Sequence, residues 1–446
     1  MQATTPAANT ATLALSDATA TPLAVRCSAP ICLAGERLTV DRKTGEIVER
    51  FASADAPDGV VLVACGNRRA SRCPSCSTTY RRDAYALVRA GLTGDQARGI
   101  SAELAGHPRV FATLTAPSFG AVHRRVVRGG STLPCRTRAT EPACPRGRPL
   151  TCPVRHDEQD PALGQPLCPD CYDYEGAVIW NAQAGALWRR TTIRMSRILA
   201  ARAGVSRTEI GRLVALSFVK VAEFQTRGLV HLHVILRLDG PERSAPPSWA
   251  TGELLAQIVA EAAAQSWLRI VRPDGTPFVV RWGTQLDIRA IRRNAEGKGS
   301  DTAVCGYLAK YSTKAAENAG GADRRLRSAY EIGRLPVTDH ARAMMATCWR
   351  LGGLAQYEHL RLRAWTHMLG FRGHFLTKAR RYSVTFGALR TSRVRFRMKL
   401  AFIARALAGE TVFDPDSTLV IRRFAFAGVG LPNLLSVEGA GEGSAP

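Results

Sequence analysis

No stretch of this 446-residue sequence approaches the roughly 18 uninterrupted apolar residues of a membrane helix. Its first 20 residues, rich in Ala and Thr, contain no Lys or Arg, so the basic opening of a secretory signal peptide is also missing. These absences argue against a membrane partner and make cytoplasmic residence the expectation. Acidic side chains are scarce: 37 Asp and Glu stand against 61 Lys and Arg, giving a formal net charge of +24. That balance points to a polyanionic partner, although ribosomal and membrane-surface proteins share it. From His359 to Gly409 acid is absent altogether. A phosphate loop is lacking as well: Gly297-Lys298 has Arg292 where the pattern requires an earlier Gly and Gly299 where it requires Ser or Thr. No NTPase of that type is built in.

What is present begins with cysteine. Ten of the twelve cysteines precede Trp180, and two pairs have C-x-x-C spacing, which in a cytosolic protein favours zinc over disulfides. Two structural zinc sites are expected. Cys27, Cys32, Cys73 and Cys76 form the first, with Cys65 a competing ligand. Cys168 and Cys171 close the second with two of Cys135, Cys144 and Cys152, and His156 competes there. The alternative is a set of small buried hydrophobes, the reading preferred for Cys305 and Cys348. His123 is assigned to DNA, to the second metal cluster or to solvent.

Length suggests two or three units. The expected boundaries are a disordered N-terminus over residues 1–20, a Cys-rich zinc-binding region over 21–82, a catalytic domain over 83–317 with a Cys-rich insertion at about 130–172, a basic DNA-binding region over 318–435, and a disordered tail over 436–446. In the acid-free window, Phe371, Phe375 and Tyr382 are candidates for stacking on bases, the alternative being a core role. "HPRVFATLTAPSFGAVH" predicts a strand, in which Thr113 and Thr115 suit strand propensity or a substrate role. "DYEGAVIWNAQAGALWRRTTIRMSRIL" predicts a helix packed through Trp180 and Trp188, "GELLAQIVAEAAAQSWLRIV" a second helix, and "QLDIRAIRR" a further strand.

The segment from Val230 to Tyr311 organises the rest. In the run "GLVHLHVILRLDG", side chains alternate with period two, so His231, His233 and Ile235 share one face while Val230, Leu232, Val234 and Leu236 share the other. Upstream, "ALSFVKVAEFQTRG" is a second β-rich run with Gly228 able to take positive φ. A hairpin turning near Arg227 sets Glu223 opposite His231. Two imidazoles and a carboxylate then converge on one face, a set that accepts Mg²⁺ or Mn²⁺ with positions left for a phosphate oxygen and water. In "SDTAVCGYLAKYSTKAAE", with Ser300-Asp301 as caps, helical spacing places Tyr307 beside Tyr311 and Lys310 in line with Lys314. A tyrosine with pKa about 10 needs such cations or a metal-polarised phosphate to act as a nucleophile.

These motifs, in this order, resemble the HUH endonucleases that initiate rolling-circle replication, and among them the RepSA-type initiators of actinobacterial plasmids and integrative elements. The resemblance is carried by "RVFATLTAPSFGAVH", "VAEFQTRGLVHLHVILRLD" and "YLAKYSTKAAE", and extends to "CGNRRASRCPSCS", "PLCPDCYDYEGAVIWNA" and "RLRAWTHMLGFRGHFLTKARRYS". It implies an α+β fold, an HUH core with a central antiparallel sheet, Cys-rich zinc-binding elements and a basic, mainly helical C-terminal region. It further implies His231, His233 and Glu223 as metal ligands, Tyr311 as nucleophile and Tyr307 as a second tyrosine, with Lys314 and Lys310 offsetting phosphoryl charge. The expected partners are single-stranded or hairpin origin DNA, a separate helicase and a polymerase. A relaxase or transposase using the same chemistry, and a non-catalytic zinc-containing regulator, stand as alternatives.

Overall fold

The structure, a computed structural model, describes residues 24, 26–56, 58–137, 143–291, 299–314, 319–409 and 413–431. The N-terminal residues 1–20 and the tail over 436–446, expected to be disordered, lie outside these, as does the Gly297-Lys298 segment. In chain order the main elements are β1 (Ile31–Asp41), β2 (Ile47–Ala52), β3 (Val61–Val63), α1 (Pro74–Thr93), β4 (Arg109–Leu114), β5 (Val126–Arg128), β6 (Ser131–Leu133) and α2 (Tyr174–Arg202). There follow α3 (Arg207–Leu213), β7 (Ala215–Phe224), β8 (Val230–Asp239), α4 (Gly252–Gln265), β9 (Trp267–Val271), β10 (Pro277–Arg281), β11 (Leu286–Ala290) and α5 (Gly299–Ser312). The chain closes with α6 (Ala329–Arg334), α7 (Asp339–Leu351), α8 (Leu362–Trp365), β12 (Leu376–Lys378), α9 (Phe386–Leu407) and β13 (Thr418–Val429). The class is α+β with antiparallel sheets. Among the described residues no helix is long and apolar enough to cross a membrane.

Two compact units form, Met1–Leu87 with Val384–Pro446, and Val88–Ser383. In the first, β13 returns from the far end of the chain to pair antiparallel with β1, which also pairs with β2 and β3. Tyr80 stacks on Phe386, and Arg393 is paired with Asp83 of α1. Apart from Leu389, the side chains of α9 are half-buried or exposed.

The second unit is built on a five-stranded antiparallel sheet in the order β11-β4-β8-β7-β12. Alternation decides its faces. Val110, Ala112 and Leu114 of β4 share a core with Ala222 and Phe224 of β7 and with Leu232, Val234, Leu236 and Leu238 of β8. Against them pack Trp180, Leu187 and Met195 of α2 and Leu255 and Ile258 of α4. Asp173 caps α2 by accepting from the Gly176 N–H, and both tryptophans of that helix are buried. The other face of the sheet carries Thr113, Glu223, His231 and His233, and α5 packs over β7.

Three expectations are corrected. The helix begun at Gly252 ends at Gln265, where the buried Ser266 hydroxyl donates to the Ala262 carbonyl, and "WLRIV" is a strand paired with β10. Ser300 and Asp301 lie inside the first turn of α5 rather than capping it, and Asp301 Oδ2 accepts from Arg109 at 3.0 Å. Phe371, Phe375 and Tyr382 are not placed for base stacking. All three are buried: the phenylalanines pack edge-on or tilted against Phe224, and the Tyr382 hydroxyl donates to the Val88 carbonyl. The absence of acid in this window leaves the aromatics free to be core, because burial follows packing rather than local charge.

Candidate metal and tyrosine site

The β7–β8 hairpin turns at Gln225–Leu229, with Gly228 at φ 73 and its N–H donating to the Gln225 carbonyl. Only glycine adopts that left-handed backbone without strain. A buried asparagine of α2 fixes the turn: Asn181 Nδ2 donates to the carbonyls of Gly228 and Leu369 at 2.9 Å each, and its Oδ1 accepts from the Val230 N–H at 3.1 Å. The resulting register sets Glu223 directly opposite His231 and Val221 opposite His233.

One carboxylate oxygen, Glu223 Oε2, then lies 3.0 Å from His231 Nε2 and 3.1 Å from His233 Nε2. Adjacent ligands around an octahedral ion at about 2.1 Å stand about 3.0 Å apart, so each imidazole nitrogen sits at the spacing of a coordination position next to the carboxylate oxygen for a Mg²⁺- or Mn²⁺-sized ion. His233 Nδ1 lies 3.2 Å from Thr113 Oγ1 on β4, which orients the ring and leaves Nε2 toward the ligand cluster. Burial lowers the pKa of His233, keeping the imidazole neutral and able to ligate. Burial opposes the charge on Glu223, but hydrogen bonds from His231, His233 and Lys314 outweigh it and hold the carboxyl at about 2.

Helix α5 brings both tyrosines to this cluster. Their rings meet at a tilt of 55° with centroids 4.3 Å apart, and Tyr307 Oη lies 3.3 Å from His233 Nε2. Burial and the neighbouring Tyr311 raise the pKa of Tyr307, so it holds its proton. Tyr311 has different company. Lys314 Nζ sits 4.2 Å from its ring centroid and Lys310 Nζ 5.8 Å, and Lys314 also bonds Glu223 Oε1 at 2.7 Å. Both lysines thus gather on Tyr311.

A family model described as "Replication initiator protein, pSAM2" (RepSA) matches residues 17–438. The chain belongs to the RepSA replication initiator family. A "Replication initiator protein" of Streptomyces ambofaciens is 48% identical over 409 residues, spanning 90% of this chain and 83% of that protein. No solved structure matches the chain.

In this RepSA-family chain the cysteines group differently from expectation. Cys27, Cys65, Cys73 and Cys76 converge, with Sγ–Sγ distances of 3.7 Å (Cys65–Cys76 and Cys27–Cys73) and 3.8 Å (Cys27–Cys76). Cys65 therefore takes the place expected for Cys32. Gly66, at φ 65, turns the chain so that the Asn67 N–H donates to Cys65 Sγ, whereas Cys32 is held in β1 with its thiol on the Gly430 carbonyl. The second expected site divides in two. Cys144, Cys168 and Cys171 form one cluster, and Cys135 and Cys152 join His123 and His156 in another. Cys305 and Cys348 are buried singly, as expected.

The Thr115 hydroxyl donates to the Gln285 carbonyl at 2.7 Å. Sequence reasoning passed over Asn181 as a turn clamp and the direct Lys314–Glu223 pair. Neither has a local signal: an asparagine inside a helix and a lysine past its end acquire these partners only when the sheet forms.

Proposed function

We propose that this protein initiates replication by cutting a single strand of origin DNA through tyrosine transesterification. The observation that carries the reading is the convergence of Glu223, His231 and His233 beside the paired Tyr307 and Tyr311. Glu223, His231 and His233 would hold Mg²⁺ or Mn²⁺, which when bound supplies Lewis-acid polarisation of a phosphate oxygen.

Tyr311 is assigned as nucleophile. Its Oη forms a bond to phosphorus as the bond from phosphorus to the 3′ oxygen breaks, and the phenolic proton ends on the released 3′-hydroxyl. No water, oxidant or nucleotide is consumed. The 5′-phosphotyrosine retains the energy of the broken linkage, and the 3′-hydroxyl is left for a polymerase. Lys314 and Lys310 offset negative charge on Tyr311 and the phosphoryl group. Tyr307, beside Tyr311, would accept the strand end in a second transfer. Rolling-circle replication follows from this chemistry, with strand separation left to a separate helicase. For origin binding, α9 offers Arg390, Arg395 and Arg397 on an exposed surface, with Lys399 beside them paired to Asp416.

The test is incubation of the protein with end-labelled single-stranded or hairpin origin DNA and Mn²⁺. A covalent adduct on a denaturing gel, abolished by chelator, is expected. Tight origin binding by folded, metal-loaded protein with no adduct would move the reading to a non-catalytic regulator.

A further inference from the structure

The segment between β4 and α2 has an unusual interior. Among its described residues from Gly120 to Cys171, the buried side chains are Cys135, Cys144, Cys152, His156, Pro166 and Cys168, with no buried Val, Leu, Ile, Met, Phe, Tyr or Trp. Among those residues the regular structure is the three-residue pairing of β5 with β6, isolated bridges and one 3-10 turn at Pro169–Cys171. A segment of this length whose described residues bury no aliphatic side chain needs another source of cohesion.

We infer that His123, Cys135, Cys152 and His156 bind a structural zinc ion in a mixed His₂Cys₂ site. The four ligand atoms lie within 4.8 Å of one another. Zinc at about 2.3 Å from sulfur and about 2.0–2.1 Å from nitrogen makes tetrahedral edges of about 3.6 Å for S–N and about 3.4 Å for N–N. Cys152 Sγ is 3.6 Å from His156 Nε2, and His123 Nδ1 is 3.1 Å from the same nitrogen. The two rings are nearly perpendicular, at 85°, and present different nitrogens, Nδ1 of His123 and Nε2 of His156, to each other.

The surroundings are those of a ligand set. His156 Nδ1 donates to Asp160 Oδ2 at 2.6 Å, which fixes the tautomer that leaves Nε2 for metal. The His123 backbone is held on both sides, its N–H donating to the Gln165 carbonyl and its carbonyl accepting from the Gly164 N–H. The Arg136–Cys152 bridge aligns the two cysteine-bearing stretches, and the Arg124 N–H donates to Cys135 Sγ. Two thiolates and two imidazoles in a closed tetrahedral array select zinc over oxygen-preferring Mg²⁺. The site ties together stretches at residues 123, 135 and 152–156 and is separate from the tyrosine site in ligands and in chemistry.

The experiment is zinc content per chain, by mass spectrometry of the full-length protein, with cobalt substitution read by visible absorption. His156→Ala and Cys152→Ser are expected each to lose one zinc per chain, and Asp160→Asn to keep the stoichiometry while binding zinc about 10- to 100-fold more weakly. Should those variants fail to fold, His156→Cys keeps the question open to decision: it is expected to retain zinc and to intensify the thiolate-to-cobalt absorption as a third sulfur enters the shell. Cys135→Ser alters the band assigned to this ion, whereas Cys144→Ser leaves it unchanged. Unchanged zinc content in folded His156→Ala and Cys152→Ser, or an unchanged cobalt spectrum in His156→Cys, would overturn the assignment. So would equal effects of Cys135→Ser and Cys144→Ser on one ion.

Discussion

The two ends of one face of β8 carry similar residues in opposite states. At one end, Glu223 meets two histidines and a lysine. At the other, Asp239 meets His107, Arg237 and Ser217. The Asp239 carboxylate is spent: Oδ1 accepts from His107 at 2.9 Å and from Arg237 Nε at 2.5 Å, Oδ2 accepts from Ser217 and Arg237 Nη2, and the Arg237 and Asp239 side chains are 0% exposed. At the Glu223 end two imidazole nitrogens crowd a single oxygen, His231 is 16% exposed, and two tyrosines border the cluster. The difference teaches that a carboxylate, an imidazole and a cation make a fold-locking network when the carboxylate oxygens are answered from within, and a candidate reaction site when ligand atoms converge beside solvent.

Breaking each end should therefore have opposite consequences. His233→Ala is expected to lower adduct formation by at least about 10³-fold, through loss of a metal ligand, with a nearly unchanged Tm; parallel adduct assays and thermal melts check both halves. Arg237→Met should do the reverse, costing about 3–5 kcal/mol of stability by leaving Asp239 buried without its cation, as read by urea unfolding. If Arg237→Met were as stable as the parent, the sealed-network reading would be wrong.

Smaller changes sharpen the contrast. Thr113→Val removes the hydroxyl that orients His233 and should weaken Mn²⁺ binding about 10- to 100-fold, measured by metal titration of adduct formation, while the maximal rate at saturating metal falls less. The smallest effect concerns acid. Burial opposes ionisation of Asp239, but hydrogen bonds from His107 and Arg237 lower its pKa from 3.8 to about 2. A lowered folded pKa stabilises above the unfolded value, so that contribution is present above about pH 4 and is lost as pH falls toward 2. Melts of the parent and Asp239→Asn should converge across that acid window.

The hairpin was legible because period-two alternation and a Gly turn fix register locally, and register alone puts Glu223 opposite His231. The pairing of Tyr307 with Tyr311 was legible for the same kind of reason, since helical spacing stacks residues four apart. The cysteine partition was not. His123 and Cys135 reach Cys152 and His156 through loops whose closure has no periodic signature, and Cys65 displaces Cys32 through a glycine turn. Thr113 and Asn181 act on groups far away in sequence and Asp160 through a tautomer, so composition gives no hint of these roles. The acid-free C-terminal window misled in one respect: it marked a basic region without telling which aromatics the core would claim.

The most direct measurement is the denaturing-gel adduct assay on origin DNA with Mn²⁺ for the parent, Tyr311→Phe, Tyr307→Phe and the double variant. The expected result is a metal-dependent adduct in the parent that Tyr311→Phe abolishes and Tyr307→Phe leaves in the first transfer. An adduct that persists undiminished in the folded double variant would contradict tyrosine transesterification at this site.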